Sequence, residues 1–180
     1  MTIDDLRARL RELELEAFLR EYQGAFLLAM GFISVEAIRA GRRTAAAVKQ
    51  EGRDATAAIT FGARLRHDSM QKHPLAGCAF HLAPAAEQTT VMIGRSPDCA
   101  ITIPDNGVSE CHCRIEITAH GVTVVDAGST NGTTVNLERL EPGRPKVLAD
   151  EDILSVGRYS FQLLSARTFY DEISLLNELE

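Results

Sequence analysis

From residue 77 onward, apolar residues occur in short segments separated by turn residues. Glycine and asparagine tolerate the positive φ of tight turns, and turns are indicated at Asp105-Asn106-Gly107, His120-Gly121, Asn131-Gly132 and Pro142-Gly143. The predicted strands between the turns cover residues 78–82, 89–93, 100–103, 113–118, 121–126, 133–136, 146–148, 152–156 and 158–165. Many short strands at this spacing favour an antiparallel β-sandwich over about residues 77–165.

The preceding part of the chain has a different pattern. Apolar residues recur at helical spacing over residues 3–22, which predicts an amphipathic helix. The apolar run 25–33 is either a strand or a buried turn of helix, because periodicity does not decide between them. Ser34 can cap a short helix through Ala40. Residues 44–58 are ambiguous, and alternating apolar and polar residues predict a strand over 59–66.

These patterns divide the chain into two regions. Residues 1–76 are a helical and mixed extension, and residues 77–180 are the sandwich followed by a helix over 168–179, with Thr168 as its cap. The expected fold class is mainly β: an antiparallel β-sandwich with a partly helical N-terminal extension and a short C-terminal helix. The extension is small for a core of its own, so we do not expect it to fold independently.

The net charge of −6 is unevenly spread, because residues 1–75 carry +2 and residues 76–180 carry −8. The acidic second region argues against nucleic-acid binding, which needs a basic surface. The longest apolar run, Gly24 to Val35, is too short to span a bilayer, so no membrane partner is expected. No secretory signal is visible, and the expectation is a cytoplasmic protein whose four cysteines are reduced.

Three short segments carry groups that can bind phosphate. Arg95 follows a predicted strand and projects from one end of the sandwich. Ser109 and Thr130 each offer a hydroxyl, and Asn131 offers an amide that both donates and accepts. A phosphothreonine carries about −1.5 to −2 charges and three strong acceptor oxygens. Holding it therefore takes a guanidinium and several donors on loops that are fixed beforehand.

The order and spacing of these segments resemble the forkhead-associated (FHA) domain, a β-sandwich that binds phosphothreonine peptides through loops at one end. The resemblance covers about residues 77–165. It rests on Ile93-Gly94-Arg95-Ser96-Pro97-Asp98-Cys99, Val108-Ser109-Glu110-Cys111-His112, Asp126-Ala127-Gly128-Ser129-Thr130-Asn131-Gly132-Thr133 and Asp152-Ile153-Leu154-Ser155-Val156-Gly157.

The resemblance implies a role for each matching residue. Arg95 and Ser109 match phosphate contacts, and Thr130 matches a loop residue that hydrogen-bonds at the phosphothreonine. Asn131 matches a contact to the peptide backbone. His112 resembles a histidine that braces the binding loops. Structural support of these loops is assigned to Gly94, His112, Ser129 and Gly132.

Glu110 departs from the family pattern, which usually places a basic or amide-bearing residue at this binding position. A carboxylate at about 6 Å from a dianion costs roughly 1–5 kcal/mol, depending on the effective dielectric. Exposure to solvent favours the low end of this range, and Arg114 is a candidate partner for the carboxylate. Glu110 is therefore a phosphopeptide-site residue that opposes phosphate binding.

Two other readings of these residue types are disfavoured. Cys111-His112-Cys113 has residue types that bind metals, but neighbours on a strand point to alternate sides and the usual zinc spacing is absent. Ser109, His112 and Asp126 have the residue types of a catalytic triad, but the chain lacks the sequence that is typical of a nucleophile elbow. We expect no catalytic residue, no metal and no cofactor, and therefore a binding protein and not an enzyme.

The resemblance implies a phosphothreonine-peptide-binding adaptor in Ser/Thr kinase signalling, whose partner is a phosphothreonine-containing protein or kinase. The alternative, motivated by Glu110, is an FHA-fold scaffold or oligomerisation module that no longer binds phosphate. The apolar stripe of residues 3–22 favours packing on its own domain and leaves self-association open. Arg42-Arg43-Thr44 resembles a basophilic kinase site, so a phosphorylated Thr44 is a candidate ligand within or between chains.

Overall fold

The computed structural model of the protein describes residues 13–32, 77–84 and 88–178, together with Asp5, Ala8 and Leu75. The helices with described bounds are α1 Leu15–Glu21 and α2 Ala166–Glu178. The strands are β1 Ala25–Phe32, β2 Ala79–Leu82, β3 Thr89–Gly94, β4 Ile101–Thr102, β5 Cys113–Thr118, β6 Gly121–Asp126, β7 Thr133–Val135, β8 Glu138–Arg139, β9 Lys146–Leu148, β10 Ile153–Val156 and β11 Tyr159–Ser165.

The strands form two sheets that share one hydrophobic core. One sheet has the order β2-β1-β11-β10-β7-β8, and the other has the order β4-β3-β5-β6-β9. Neighbouring strands are antiparallel except for β3 and β4. The predicted sandwich is confirmed, and each predicted strand from residue 78 onward overlaps an observed one. Only β8 was not predicted there, because its two residues are charged and exposed and show no apolar pattern.

The apolar run over residues 25–33, which the sequence pattern left open between a strand and a turn of helix, forms the strand β1. It lies between β2 and β11, and Ala25 pairs with both Leu82 and Ser165. Leu27 is buried in the sandwich core, whereas Phe26 is buried in a second core on the opposite face of the sheet. A strand that is buried on both faces shows no apolar and polar alternation, which is why the sequence pattern did not identify it.

Because β1 comes from the N-terminal region, that region and the sandwich share a sheet. The division of the chain at residues 76 and 77 stays a prediction. Other predictions fall on parts of the chain that lie outside the described residues: the helix over 34–40, the ambiguous segment 44–58 and the strand over 59–66.

The helices α1 and α2 pack on the outer face of the six-stranded sheet. Phe18 of α1 and Phe169 of α2 are fully buried. The Phe169 ring lies 4.2 Å from the Phe26 ring, and the Phe18 ring lies 6.0 Å from it, measured between centroids. This second cluster, called here the helix-side core, comprises Phe18, Phe26, Leu28, Ala79, Leu164, Ala166, Phe169 and Ile173.

The helix predicted over residues 3–22 is interrupted. Leu13 and Glu14 are not helical, and Glu14 has an extended backbone. The Leu13 carbonyl accepts a hydrogen bond from the Tyr170 hydroxyl at 3.1 Å, and this tertiary contact replaces the helical one. The described part of the apolar stripe buries Phe18 within its own chain. Self-association through the stripe remains a prediction.

The C-terminal helix begins earlier than predicted, and its cap is Ser165 instead of Thr168. The Ser165 hydroxyl accepts the Thr168 N–H at 3.1 Å, which is an N-cap arrangement. The Thr168 hydroxyl donates to Asp150 at 2.5 Å. In the parts of the chain that the structure describes, no helix is long and apolar enough to cross a membrane.

Candidate functional site

The predicted site residues lie on three connections at one end of the sandwich. Arg95 follows β3, Ser109 lies in the β4–β5 loop, and Thr130 lies in the β6–β7 loop. Cys113, at the start of β5, pairs with residues at the ends of both β3 and β6. The sheet register therefore brings the three connections together, and we call this the recognition end.

Arg95 is held by hydrogen bonds from its backbone and its Nε, while its side chain remains partly exposed to solvent. Its backbone N–H donates to the Ser109 carbonyl at 2.8 Å, and its Nε donates to the Val108 carbonyl at 3.2 Å. A Cβ on Gly94 would lie only 2.1 Å from the carbonyl oxygen of Glu110, so this close approach of two backbone segments requires glycine. The Arg95 side chain remains 43% exposed, which leaves its terminal nitrogens accessible to a ligand.

The hydroxyls of Ser109 and Thr130 meet across the two loops. Their oxygens are 3.4 Å apart, and the Ser109 hydroxyl also accepts the Thr130 N–H at 3.1 Å. Because the Ser109 carbonyl binds the backbone of Arg95, the three residues form one continuous polar surface.

Asn131 extends this surface and ties the loops together. Its Nδ2 donates to the Gly107 carbonyl at 2.8 Å, which links the β6–β7 loop to the β4–β5 loop. Among the described residues, no donor reaches its Oδ1 within hydrogen-bond distance. The Oδ1 atom is therefore available to accept a backbone N–H from a peptide.

His112 is fully buried and links the same two loops. Its Nδ1 accepts the Ser109 N–H at 3.1 Å, and its Nε2 lies 3.2 Å from the Gly132 carbonyl oxygen. A backbone N–H only donates and a carbonyl only accepts, so the ring is neutral with its proton on Nε2. Burial lowers the pKa of His112, and the bond to Gly132 and the Asp126 charge oppose this only in part.

Asp126 anchors the β6–β7 loop from beneath and was not predicted as a binding-site residue. Its Oδ1 accepts the N–H groups of Gly128 and Ser129, both at 2.9 Å. Its Oδ2 accepts the hydroxyls of Ser129 and Thr133, both at 2.6 Å. Burial acts to raise the pKa of Asp126, but these hydrogen bonds together lower it below its ordinary value. An aspartate two and three residues before Gly128 and Ser129 is an Asx-turn signal that indicates this role.

Asp105 anchors the β4–β5 loop and was also missed as a site residue. Its carboxylate accepts hydrogen bonds from the Tyr159 hydroxyl at 2.5 Å, the Gly107 N–H at 2.7 Å and the Arg158 guanidinium. The Tyr159 hydroxyl, the Gly107 N–H and Arg158 lower the pKa of Asp105 to about 2. Two of these partners lie more than 50 residues away along the chain, so no local pattern could indicate them.

Glu110 lies beside Arg95 and not beside Arg114. Its carboxylate is 3.9 Å from the Arg95 guanidinium, and its side chain is 78% exposed. Arg114 pairs with Glu116 at 2.8 Å. An exposed ion pair of this kind contributes about 0–1 kcal/mol. A phosphate can therefore displace the Glu110 carboxylate from Arg95 at a small free-energy cost.

Gly132 lies under the guanidinium of Arg139. Its φ is +83°, and a Cβ at this position would lie 2.6 Å from the Cζ of Arg139. The position thus favours glycine for its backbone conformation and for the space that the guanidinium fills. Arg139 was not singled out from the sequence, because a charged residue on a two-residue strand carries no pattern.

The residue types of a catalytic triad do not assemble into one here. Ser109 reaches His112 through its backbone N–H, and the Asp126 carboxylate is bound by Ser129 and Thr133. No group of three His, Cys, Asp or Glu side chains in the described ranges is close enough to hold a metal ion. What the arrangement offers is a guanidinium and hydroxyls on loops whose supports are buried, which suits recognition of an anion.

Residues 91–157 match the family model of the FHA domain, and this segment contains all three connections of the recognition end. The chain contains an FHA domain, as its sequence motifs indicated. Proteins of this class are β-sandwich modules, in agreement with the two sheets described above.

Two curated relatives resemble the chain over 96 residues. The glycogen accumulation regulator GarA of Mycolicibacterium smegmatis is 34% identical, and the match covers 53% of this chain and 56% of the relative. The oxoglutarate dehydrogenase inhibitor of Corynebacterium jeikeium is also 34% identical, with 53% and 62% covered. The chain thus spans about three-fifths of the length of these relatives.

A solved structure of the FHA domain of an Arabidopsis thaliana hypothetical protein is 33% identical to this chain. The likeness covers 52% of this chain and 78% of that domain, with a TM-score of 0.47.

Proposed function

We propose that this protein binds phosphothreonine peptides at its recognition end and acts as an adaptor in Ser/Thr kinase signalling. The observation that carries the proposal is that one end of the sandwich presents both the exposed Arg95 side chain and the paired hydroxyls of Ser109 and Thr130, on loops that are fixed from beneath. The FHA family match supports it. Two relatives are named as a regulator and an inhibitor, which supports a role exerted by binding and not by catalysis.

The phosphate is held by local groups in this proposal, because the acidic second region of the chain repels an anion at longer range. The terminal nitrogens of Arg95 form charge-assisted hydrogen bonds to the phosphate. The hydroxyls of Ser109 and Thr130 reorient to donate to its oxygens. Hydrogen bonds to charged groups contribute roughly 1.5–3 kcal/mol each, so two or three give affinity in the micromolar range after ordering costs.

The buried supports reduce those ordering costs. Asp126, His112 and Asp105 hold the loops in place through hydrogen bonds to other groups of the protein itself. Binding then does not have to order the loops, which is the advantage of a preorganised site. The partner proposed for the site is a phosphothreonine-containing protein or kinase.

The test is a comparison of paired peptides. A degenerate phosphothreonine-peptide library identifies a binding sequence, and its phosphorylated and unphosphorylated forms are titrated by calorimetry. The phosphorylated form is expected to bind at least tenfold more tightly, and Arg95→Ala is expected to abolish the difference. Arg167→Ala removes an exposed arginine of α2 and serves as the control. Unchanged phospho-dependence in Arg95→Ala means that the site is wrongly assigned.

The second candidate function is an FHA-fold scaffold or oligomerisation module that does not bind phosphate, and the carboxylate of Glu110 beside Arg95 favours it. Glu110→Arg separates the two. A small gain from a measurable wild-type affinity supports the adaptor. A many-fold gain from an undetectable affinity supports the scaffold.

A further inference from the structure

Arg139 is a cation at the recognition end that the proposed phosphate site does not use. It lies on β8, where it pairs with Thr134 of β7. Its guanidinium covers Gly132 and fills the space that a side chain there would occupy. Gly132 directly follows Asn131, so the guanidinium lies against the loop that is proposed to contact the peptide.

The neighbouring cations have carboxylate partners, whereas Arg139 has none among the described residues. Three pairs occupy this part of the domain: Arg95 with Glu110, Arg158 with Asp105, and Lys146 with Glu138. Arg139 is exposed, and no described carboxylate lies within ion-pair distance of it. A guanidinium that is positioned by a backbone contact but lacks a counter-ion is suited to an anion from another molecule.

The position of Arg139 sets where that anion lies on a bound peptide. Thr130 and Gly132 are two residues apart, so their Cα atoms are separated by at most about 7 Å. An extended peptide advances roughly 3.3–3.6 Å per residue. The Arg139 guanidinium is thus in reach of a side chain within about four residues of a phosphothreonine that is held at Thr130.

We infer that Arg139 forms a second anion subsite, which recognises an acidic side chain near the phosphothreonine of the bound peptide. This inference rests on the proposed function of the recognition end. A carboxylate and a second phosphate both present the required chemistry. The subsite would select among phosphothreonine peptides, while Arg95 would decide whether any of them binds.

The experiment scans an acidic residue along one phosphothreonine peptide taken from the library. Each position within about four residues of the phosphothreonine is changed in turn to alanine, aspartate or phosphoserine, and the affinities are measured by fluorescence anisotropy. Wild-type protein is expected to prefer an acidic residue over alanine by about three- to tenfold at one or two positions. The aspartate and phosphoserine arms show which source of negative charge is favoured.

Arg139→Gln is expected to remove this preference and to leave the affinity for the all-alanine peptide within about twofold. Arg167→Gln makes the same charge change on α2 and is expected to keep the preference. Arg139→Glu is expected to reverse it, so that lysine is favoured over aspartate at the same positions. Thermal unfolding of each variant, expected to match wild type, checks that the exposed substitution has not altered the fold.

Each result bears on a different statement. An acidic preference that survives Arg139→Gln, or the absence of any acidic preference in a protein that still requires phosphothreonine, overturns the subsite and leaves the proposed function standing. An equal loss for the alanine and acidic peptides in Arg139→Gln assigns Arg139 a structural role and also overturns it. If wild-type protein binds no peptide in a phosphate-dependent way, the proposed function and the subsite both fail.

Discussion

The recognition end and the helix-side core lie on the same sandwich but are stabilised by different interactions, hydrogen bonds in the first and apolar packing in the second. Beneath the loops, the side chains of Asp126 and His112 are buried and bound to specific donors and acceptors. Beneath the helices, Phe18, Phe26 and Phe169 stack with no polar contact required. Hydrogen bonds are directional, whereas apolar burial depends mainly on area and fit.

The difference teaches that stability and recognition respond to different substitutions. In the helix-side core, a change of volume is expected to lower stability without altering the site. Beneath the loops, a change of one atom at constant volume is expected to affect both. The three predictions below test this separation, from the largest expected change in free energy to the smallest.

Phe169→Ala is expected to lower the free energy of unfolding by about 3–5 kcal/mol, because it leaves a cavity among fully buried rings. The phosphopeptide affinity of the folded variant should stay within twofold of wild type. Denaturant unfolding measures the first quantity and calorimetry the second. Phe169→Leu is the matched control and should lose less stability. A large fall in affinity in folded Phe169→Ala protein would contradict the separation.

Asp126→Asn keeps the side-chain volume but replaces one acceptor oxygen with an amide donor. At least one donor from Ser129 or Thr133 is then left without a partner, and we expect a loss of about 1–3 kcal/mol in the free energy of unfolding. Phosphopeptide affinity should fall at least tenfold, because the β6–β7 loop that carries Thr130 loses part of its anchor. Thr133→Val removes one donor but leaves Ser129 bound, so its effect on affinity should be smaller. Equal affinities for Asp126→Asn and wild type would refute the anchoring role.

The free energy of unfolding is expected to fall as the pH falls below about 6.5, through the titration of His112. Burial lowers its pKa in the folded protein, so the unfolded chain binds the proton first. The stability supplied by the neutral ring is therefore present above the unfolded pKa and is lost towards the folded pKa. One such group gives a slope of at most about 1.4 kcal/mol per pH unit. His112→Gln should reduce this slope, and an unchanged slope in this variant would contradict the assignment to His112.

Much of the sandwich could be predicted because its strands alternate and its turns contain glycine and asparagine. β5, for example, alternates buried and half-buried residues along its whole length. β1 and the break before α1 could not be predicted, since both depend on contacts with distant residues. Tyr170 binds the Leu13 carbonyl from the other end of the chain, and β1 is buried between a sheet core and two helices.

The candidate site divides in the same way. The residues that face the ligand in our proposal, such as Arg95 and Thr130, lie in short motifs that can be read locally. Some of the groups that hold these residues are harder to predict. Asp105, for example, binds Tyr159 and Arg158, which are distant from it in the sequence. Arg139 is in contact with Gly132 only because β7 and β8 pair. The proposed ligand contacts and the loop supports His112 and Ser129 could therefore be predicted from short motifs. The roles of Asp105 and Arg139 required the tertiary structure.

The place of β1 between β2 and β11 sets the order in which this protein can assemble. Ala25 cannot pair with Ser165 until Ser165 has been synthesised, about 140 residues later. At about 5–20 residues per second, that delay lasts from several seconds to tens of seconds on the ribosome. During this time both apolar faces of β1 lack their final cover, and the high sequence separation slows closure further. The strand that is buried on both faces is thus made well before the strand that completes its pairing.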